Sequence, residues 1–458
     1  MRWTLPFDRA RALRDAGETV RLALPLIVGQ LSGVGMNLVD ALLAGHVNAH
    51  TLGAVAVGAS IWTLAYVVGL GVMMALPPSV AQLVGAERRD AIGPLFRQAL
   101  WLAAALGILL FFAVRYGGPR LLDVIGVDPA LRDDTTAFLH AIAWATPALA
   151  TYFALRGVSE GMGLTRPTMY FGTLGLLLLA PLGWALMYGK FGLAPLGARG
   201  CGIATALVIW LQCLGFLGWL RWRPEYRILN LLGDWQPPQR VAIVGLLRIG
   251  LPMGVAIFME ASLFVAVALA LGRLGETVVA SHQIALNVSA LAFMLPLGLA
   301  LAITVRVGTA AGRGDVRGVR YAGFVGIGLT LLSQSFSGLV MAFGAAWIAS
   351  LYTNDAGVIL LASQLLWLAS LFQLPDGIQV ASNGALRGLK DTRMPMLITI
   401  VAYWGIGMPV GYLLAFAAGF GARGMWMGLI AGLACAAVLL FLRFRRLGRH
   451  GRWHLPAA

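Results

Sequence analysis

The chain has 458 residues, of which 59% are hydrophobic and 12% charged, with a mean hydropathy of +0.82. Soluble domains carry about 25% charged residues, so this composition excludes a soluble enzyme, and it leaves no room for a globular domain on one anchor helix. The net charge of +15 comes from Arg and Lys in short segments between apolar runs, a topology signal rather than a nucleic-acid surface.

In chain order the apolar runs fall at 20–44, 53–80, 95–114, 135–155, 167–188, 200–220, 243–271, 277–304, 319–343, 356–384, 395–417 and 424–442. Twelve spans of about 20 residues require roughly 240 apolar positions, and about 270 are present. Each run must be a helix, because lipid offers a backbone polar group no partner. The first run follows Arg2, Arg9, Arg11, Arg14 and Arg21 and has the length of a full span rather than of a cleavable leader. Cys201, Cys213 and Cys435 lie inside runs and read as small buried hydrophobes. With twelve spans, 27 of the 34 Lys and Arg fall on the side of the termini, which puts both termini in the cytoplasm.

The chain repeats itself. Leu24-Pro25 in span 1 matches Leu251-Pro252 in span 7, an offset of 227. Gly-Ala-Arg-Gly at 197–200 recurs at 421–424. Ser159-Glu-Gly followed by Gly163-Leu-Thr-Arg-Pro-Thr-Met169 parallels Ser382-Asn-Gly followed by Gly388-Leu-Lys-Asp-Thr-Arg-Met-Pro-Met396, at an offset of 223 with four residues inserted later. The expected fold is an all-α polytopic membrane protein: twelve transmembrane helices in two pseudo-symmetric six-helix lobes around a central cleft. The lobes are 1–230 and 231–458, joined through the basic loop 221–248 with Trp235-Gln-Pro-Pro238.

Three acidic residues lie inside spans: Asp40, Glu260 and Asp376. An ionised group at mid-bilayer costs about 2.5–3.5 kcal/mol on insertion scales, so such residues face a cavity or pair with something. Counted from Arg248 and Arg387, Glu260 and Asp376 are level, roughly 16–18 Å from the cytoplasmic boundary at 1.5 Å per residue. Two level carboxylates with no basic residue in either span call for a shared proton or a Na⁺, or form a protonated structural pair. Asp40 lies nearer the outer face, with Asn37 one turn earlier and Gln30 and Ser32 below it. Gln283 and Asn287 stack in span 8, either lining the cleft or bonding between helices. His140 reads as structural, and Arg156 with Glu160 as a local pair. Pro25, Pro252 and Pro375 interrupt spans 1, 7 and 10. No phosphate loop, zinc spacing or nucleophile motif is present.

The paired halves, Pro25 with Asp40, Met162-Gly-Leu-Thr-Arg-Pro167, Gly200-Cys-Gly-Ile-Ala-Thr205, Glu260, His282-Gln283 with Asn287, and Asp376 with Gly384-Ala-Leu-Arg-Gly-Leu-Lys-Asp391 resemble the multidrug and toxic compound extrusion (MATE) family, its NorM branch above all. The resemblance covers roughly 15–445. It implies a monomeric, cation-coupled antiporter of the bacterial inner membrane that expels organic cations and lipophilic drugs. It implies no permanently bound cofactor, only a coupling Na⁺ or H⁺, and no partner besides drugs and membrane lipid. Carried over, Glu260 and Asp376 match the Na⁺ or H⁺ site of the C-terminal lobe, and Phe264 an aromatic that offers its face to the cation. Asp40 matches an acid tied to protonation and drug binding, and Asp355 a rim carboxylate that contacts cationic drugs. Phe372 stands where some NorM proteins have tyrosine. Leu179 and Gly183 replace asparagines, which argues against a second ordered cation site beside Asp40. The alternative in the same superfamily is a flippase of lipid-linked precursors, which needs a basic cleft for pyrophosphate; the interior charges here are acidic.

Overall fold

The computed structural model describes residues 8–192, 194–233 and 236–451, all helical or in short turns. Arg2, Trp235 and Arg452, which enter the topology and linker arguments above, lie outside these residues. Eleven helices are long and apolar enough to span a membrane, and a bent pair makes the twelfth. They are α1 (Arg9–Val47), α2 (Ala49–Gly85), α3 (Arg89–Ile125), α4 (Pro129–Ile142 with Ala145–Gly161), α5 (Arg166–Tyr188), α6 (Gly197–Trp222), α7 (Arg240–Leu274), α8 (Glu276–Gly312), α9 (Val316–Ser350), α10 (Ala356–Gly388), α11 (Arg393–Ala417) and α12 (Gly421–Arg449). Most outrun the apolar stretch that marks them in sequence, because polar residues continue a helix beyond the hydrocarbon.

Side chains and prolines set the ends and breaks. Asp8 caps α1 by accepting from the Ala10 and Arg11 amides, and Asn48 caps α2 by accepting from the Thr51 amide at 2.6 Å. The run 135–155 is not one straight helix, since the two arms of α4 meet at 44°. Pro147 brings no N–H to the Ala143 carbonyl, and the Thr146 hydroxyl takes that place at 2.9 Å. Two π turns, Ala113–Gly117 and Val401–Gly407, end two residues before Pro119 and Pro409, where the same donor is lost.

Compactness divides the chain into two units, Val28–Gly254 and the remainder. The division does not follow the 230/231 boundary; it falls inside α1 and α7, two residues beyond Pro25 and Pro252. The first part of α1 goes with α8–α12 for an electrostatic reason. Arg306 of α8 pairs with Asp15 and with Glu18 at 2.8 Å and donates to Thr19 at 2.7 Å, while Arg11 pairs with Asp315 at 3.5 Å. The linker stays with α3, whose Gln98 and Trp101 donate to the Pro237 and Gln236 carbonyls at 3.0 and 2.9 Å.

Within each unit the fourth helix of the repeat is the packing centre: α4 against α2, α3 and α6, and α10 against α8, α9 and α12. Glycines make this approach possible. A Cβ on Gly161 would lie 2.7 Å from the Pro77 carbonyl oxygen, and one on Gly388 would lie 2.7 Å from that of Thr304. The two helices also end alike. The Gly163 and Lys390 amides, both in the left-handed region at φ 78° and 59°, donate at 2.8 Å to Glu160 and Arg387. Leu164 and Asp391 donate at 3.0 Å to Ser159 and Leu386. The repeat therefore keeps its offset of 227 through this region without an insertion. Ser159 corresponds to Leu386, and its sequence match to Ser382 is one turn out of register.

Candidate functional site

Inside the C-terminal unit, α7 carries Glu260, α10 carries Asp376 directly after Pro375, and the π turn of α11 carries Tyr403. Asp376 and Tyr403 are 2% and 1% exposed, and Glu260 is partly exposed. The three lie within electrostatic reach of one another: Asp376 feels Glu260, and Tyr403 feels both. The two expected carboxylates thus lie in one unit within electrostatic reach of each other and of a phenol. The structure also corrects one expectation. A basic partner exists, because α10 runs on through Arg387, whose charge reaches Glu260. Asp376 and Arg387 are 11 residues apart, about 16 Å along the helix. A carboxylate that feels both lies along the stretch between them.

That stretch is polar at helical spacing. Gln373, Asp376, Gln379 and Asn383 are all buried and lead to Arg387. Gln373 accepts from the Gln334 amide of α9 and donates to Met341 Sδ at 3.4 Å. The Gln334 and Gln379 Oε1 atoms, the Ser382 hydroxyl and the Tyr403 hydroxyl are buried with no hydrogen-bond partner. Each such atom costs about 1–3 kcal/mol. Chemically, two carboxylates among unsatisfied neutral oxygens can accept a proton or a small hard cation. Among the described residues no three or more His, Cys, Asp or Glu converge.

An aromatic wall borders the pair. Phe264, one turn beyond Glu260, meets Phe372 edge to face at 6.5 Å, and Phe372 meets Trp426 at 6.0 Å. The Trp426 indole donates to His282 Nδ1 at 3.2 Å, which places the imidazole proton on Nε2. Phe372 offers no phenol, and the Tyr403 phenol of α11 lies within electrostatic reach of both acids. Gln283 and Asn287 bond to each other at 3.0 Å on an exposed face of α8, not to a neighbouring helix. Asp355 is exposed and caps α10 by accepting from the Val358 amide at 2.9 Å.

In the N-terminal unit, Asp40 Oδ2 accepts from the Thr205 hydroxyl at 3.0 Å, and Cys201 bonds to the same carboxyl. Its Oδ1 is buried without a partner. Both donors belong to the Gly200–Thr205 motif of α6. Leu179 packs with Ala204 and Val208, against which Val39 also rests, so α5 brings no polar group there. Asn37 is exposed. Arg156 and Glu160 pair on α4 as expected and form part of a larger buried network. Arg156 donates to Gln30 at 2.9 Å, and Glu160 accepts from Thr168 at 3.0 Å.

Sequence reasoning passed over Tyr403, Arg387, Thr205 and Cys201. The stripe from Gln373 to Arg387 was legible at i+3/i+4 spacing. Tyr403 carried no signal, since the π turn shifts its face.

Twelve helices long and apolar enough to span a membrane, in two repeated six-helix sets with acidic residues inside them, define a polytopic membrane transporter rather than an enzyme. The MatE family model matches residues 25–185 and 252–413. The chain is 49% identical over 445 residues to the "Probable multidrug resistance protein NorM" of Xanthomonas campestris pv. campestris, covering 97% of each chain. It is 42% identical over 450 residues to "Multidrug resistance protein PmpM" of Pseudomonas aeruginosa, covering 97% of this chain and 94% of that one. Among solved structures, "MATE in the straight conformation" superposes with a TM-score of 0.89 at 19% identity, covering 97% of this chain and 99% of that one. The chain belongs to the MATE family, and within it is NorM-like.

Proposed function

We propose that the chain is a secondary-active multidrug efflux antiporter, exporting organic cations and other lipophilic drugs in exchange for Na⁺ or H⁺. The observation that carries this is the pairing of Glu260 and Asp376 within one unit, with Tyr403 and orphaned amide oxygens beside them. A cation that enters neutralises the pair; a drug cation no longer finds its counter-charge and leaves. Coupling then equals the difference in drug affinity between the two states. Asp40 is a second proton carrier in this reading, and Asn37, Gln283, Asn287, Phe264 and Asp355 contribute to substrate contact. The transporter works as a monomer in the bacterial inner membrane with both termini cytoplasmic, and residues 1–230 and 231–458 form its two moving halves.

The test is drug flux in proteoliposomes with Na⁺ and pH gradients imposed separately. One gradient should drive uptake against a drug gradient in the wild-type chain and fail to do so in Glu260→Gln and Asp376→Asn. Gradient-driven uptake at wild-type rate in both variants would overturn the coupling assignment.

A further inference from the structure

A cavity of about 710 Å³ lies on the N-terminal unit, outside both acidic sites. Its walls are one face of α4 and one face of α6. Ala137, Ala141 and Trp144 recur on α4 at i, i+4 and i+7, and Ile203, Leu207 and Trp210 do so on α6. The alanines keep the floor low, and the two tryptophans close the far end, where the Trp210 indole donates to the Trp144 carbonyl at 2.9 Å. Trp144, Leu207 and Trp210 are 57%, 45% and 38% exposed, so the groove opens sideways on apolar surface. Two guanidiniums, Arg115 and Arg199, line the same cavity with His140, and no Asp or Glu is among its described lining residues. Arg115 donates to the His140 carbonyl at 3.2 Å and keeps further N–H donors for a ligand. Arg199 is exposed in the first turn of α6, and Trp210 lies 11 residues further, about 16 Å along the groove.

Two positive charges lining an apolar trough complement an amphiphile with an anionic head. We propose that this groove holds one anionic phospholipid of the leaflet opposite the chain termini, its phosphate between Arg115 and Arg199 and an acyl chain along α4 and α6. A cationic drug is disfavoured by the same two arginines, so the site is separate from the transport pathway.

Native mass spectrometry of the full chain tests this. The detergent-purified protein is offered equimolar phosphatidylglycerol and phosphatidylcholine of identical acyl chains, with inorganic phosphate in a separate arm. At about fivefold per arginine, the wild-type chain should retain one phosphatidylglycerol roughly 25-fold over phosphatidylcholine, Arg199→Gln about fivefold, and Arg115→Gln/Arg199→Gln without preference. Trp210→Ala should lower retention of both lipids. An unchanged preference in Arg199→Gln would overturn the proposal even if the double variant failed to fold. Retention of inorganic phosphate as firm as that of the lipid would also overturn it, by reducing the groove to an anion site.

Discussion

The fourth helices of the two repeats, α4 and α10, share a scaffold and bury opposite kinds of polar group. Gly157 and Gly161 on one correspond to Gly384 and Gly388 on the other, and both helices end in the same left-handed turn. Where α4 has Arg156 and Glu160, bonded to each other, α10 at the offset of 227 has Asn383 and Arg387. The α4 charges are matched on their own helix and satisfied further by Gln30 and Thr168. Arg387 has no such local partner, and its charge reaches Glu260 on α7. Mid-helix the contrast is sharper. Asp376 and Glu260 correspond to Leu149 and Gly33, neither of which can ionise. One copy of the scaffold thus carries an ion pair closed on a single helix, and the other an acid whose acidic neighbour, Glu260, comes from a different helix.

The largest expected effect comes from breaking the satisfied side. Glu160→Gln strands Arg156 at 8% exposure; losing one partner of a buried pair costs about 3–5 kcal/mol. Thermal unfolding in detergent should drop sharply, and replacing Arg156 by Met in the same chain should recover most of the loss. A wild-type melting temperature for Glu160→Gln would erase the contrast between the helices.

Next is the acidic pair. Asp376→Asn should fold near normally, since no basic group among the described residues is paired with it, while Glu260→Gln should cost more because it removes the charge that Arg387 reaches. Efflux in everted vesicles should fall by about 100-fold, toward the upper end of typical coupling energies. The same loss in Leu149→Ala would show that packing rather than charge governs this level of the bundle.

A smaller effect of defined sign attaches to Arg387. Its positive charge competes for Glu260 with any arriving cation. Arg387→Gln should therefore lower the half-saturating concentration of the coupling ion, by about tenfold for each 1.4 kcal/mol of repulsion removed. A rise in that concentration would assign Arg387 to holding the site open.

Smallest is the turn after α10. Lys390 sits at φ 59°, where the first repeat has Gly163. Lys390→Gly should stabilise the chain by about 1 kcal/mol by relieving a conformation that side chains disfavour. Destabilisation would argue that the Lys390 side chain makes a needed contact and that the turns are less alike than their hydrogen bonds.

Much of the site was readable before any coordinates, but unevenly. Glu260 and Asp376 stood out because a carboxylate in an apolar run has few explanations. Arg387 reads in sequence only as a boundary marker, because no spacing rule shows that its charge reaches Glu260 on another helix. Gln283 with Asn287 and Asp355 are polar residues whose bonds close on their own helices, and no spacing rule tells such a residue from one that faces a ligand.

Hydropathy determined that the chain is twelve membrane-spanning helices, because the bilayer allows apolar segments of that length no other structure, and recurring motifs determined that they come in two copies. Hydropathy determined as well that the acids inside must answer to something. Which groups answer was a tertiary matter. The bend at Pro147 and the π turn before Pro409 begin at local prolines, but what the residues on them meet depends on helices far apart in sequence. So does the assignment of the first part of α1 to the C-terminal helices through Arg306. A periodic pattern records which face of a helix is polar, and only packing decides what that face meets.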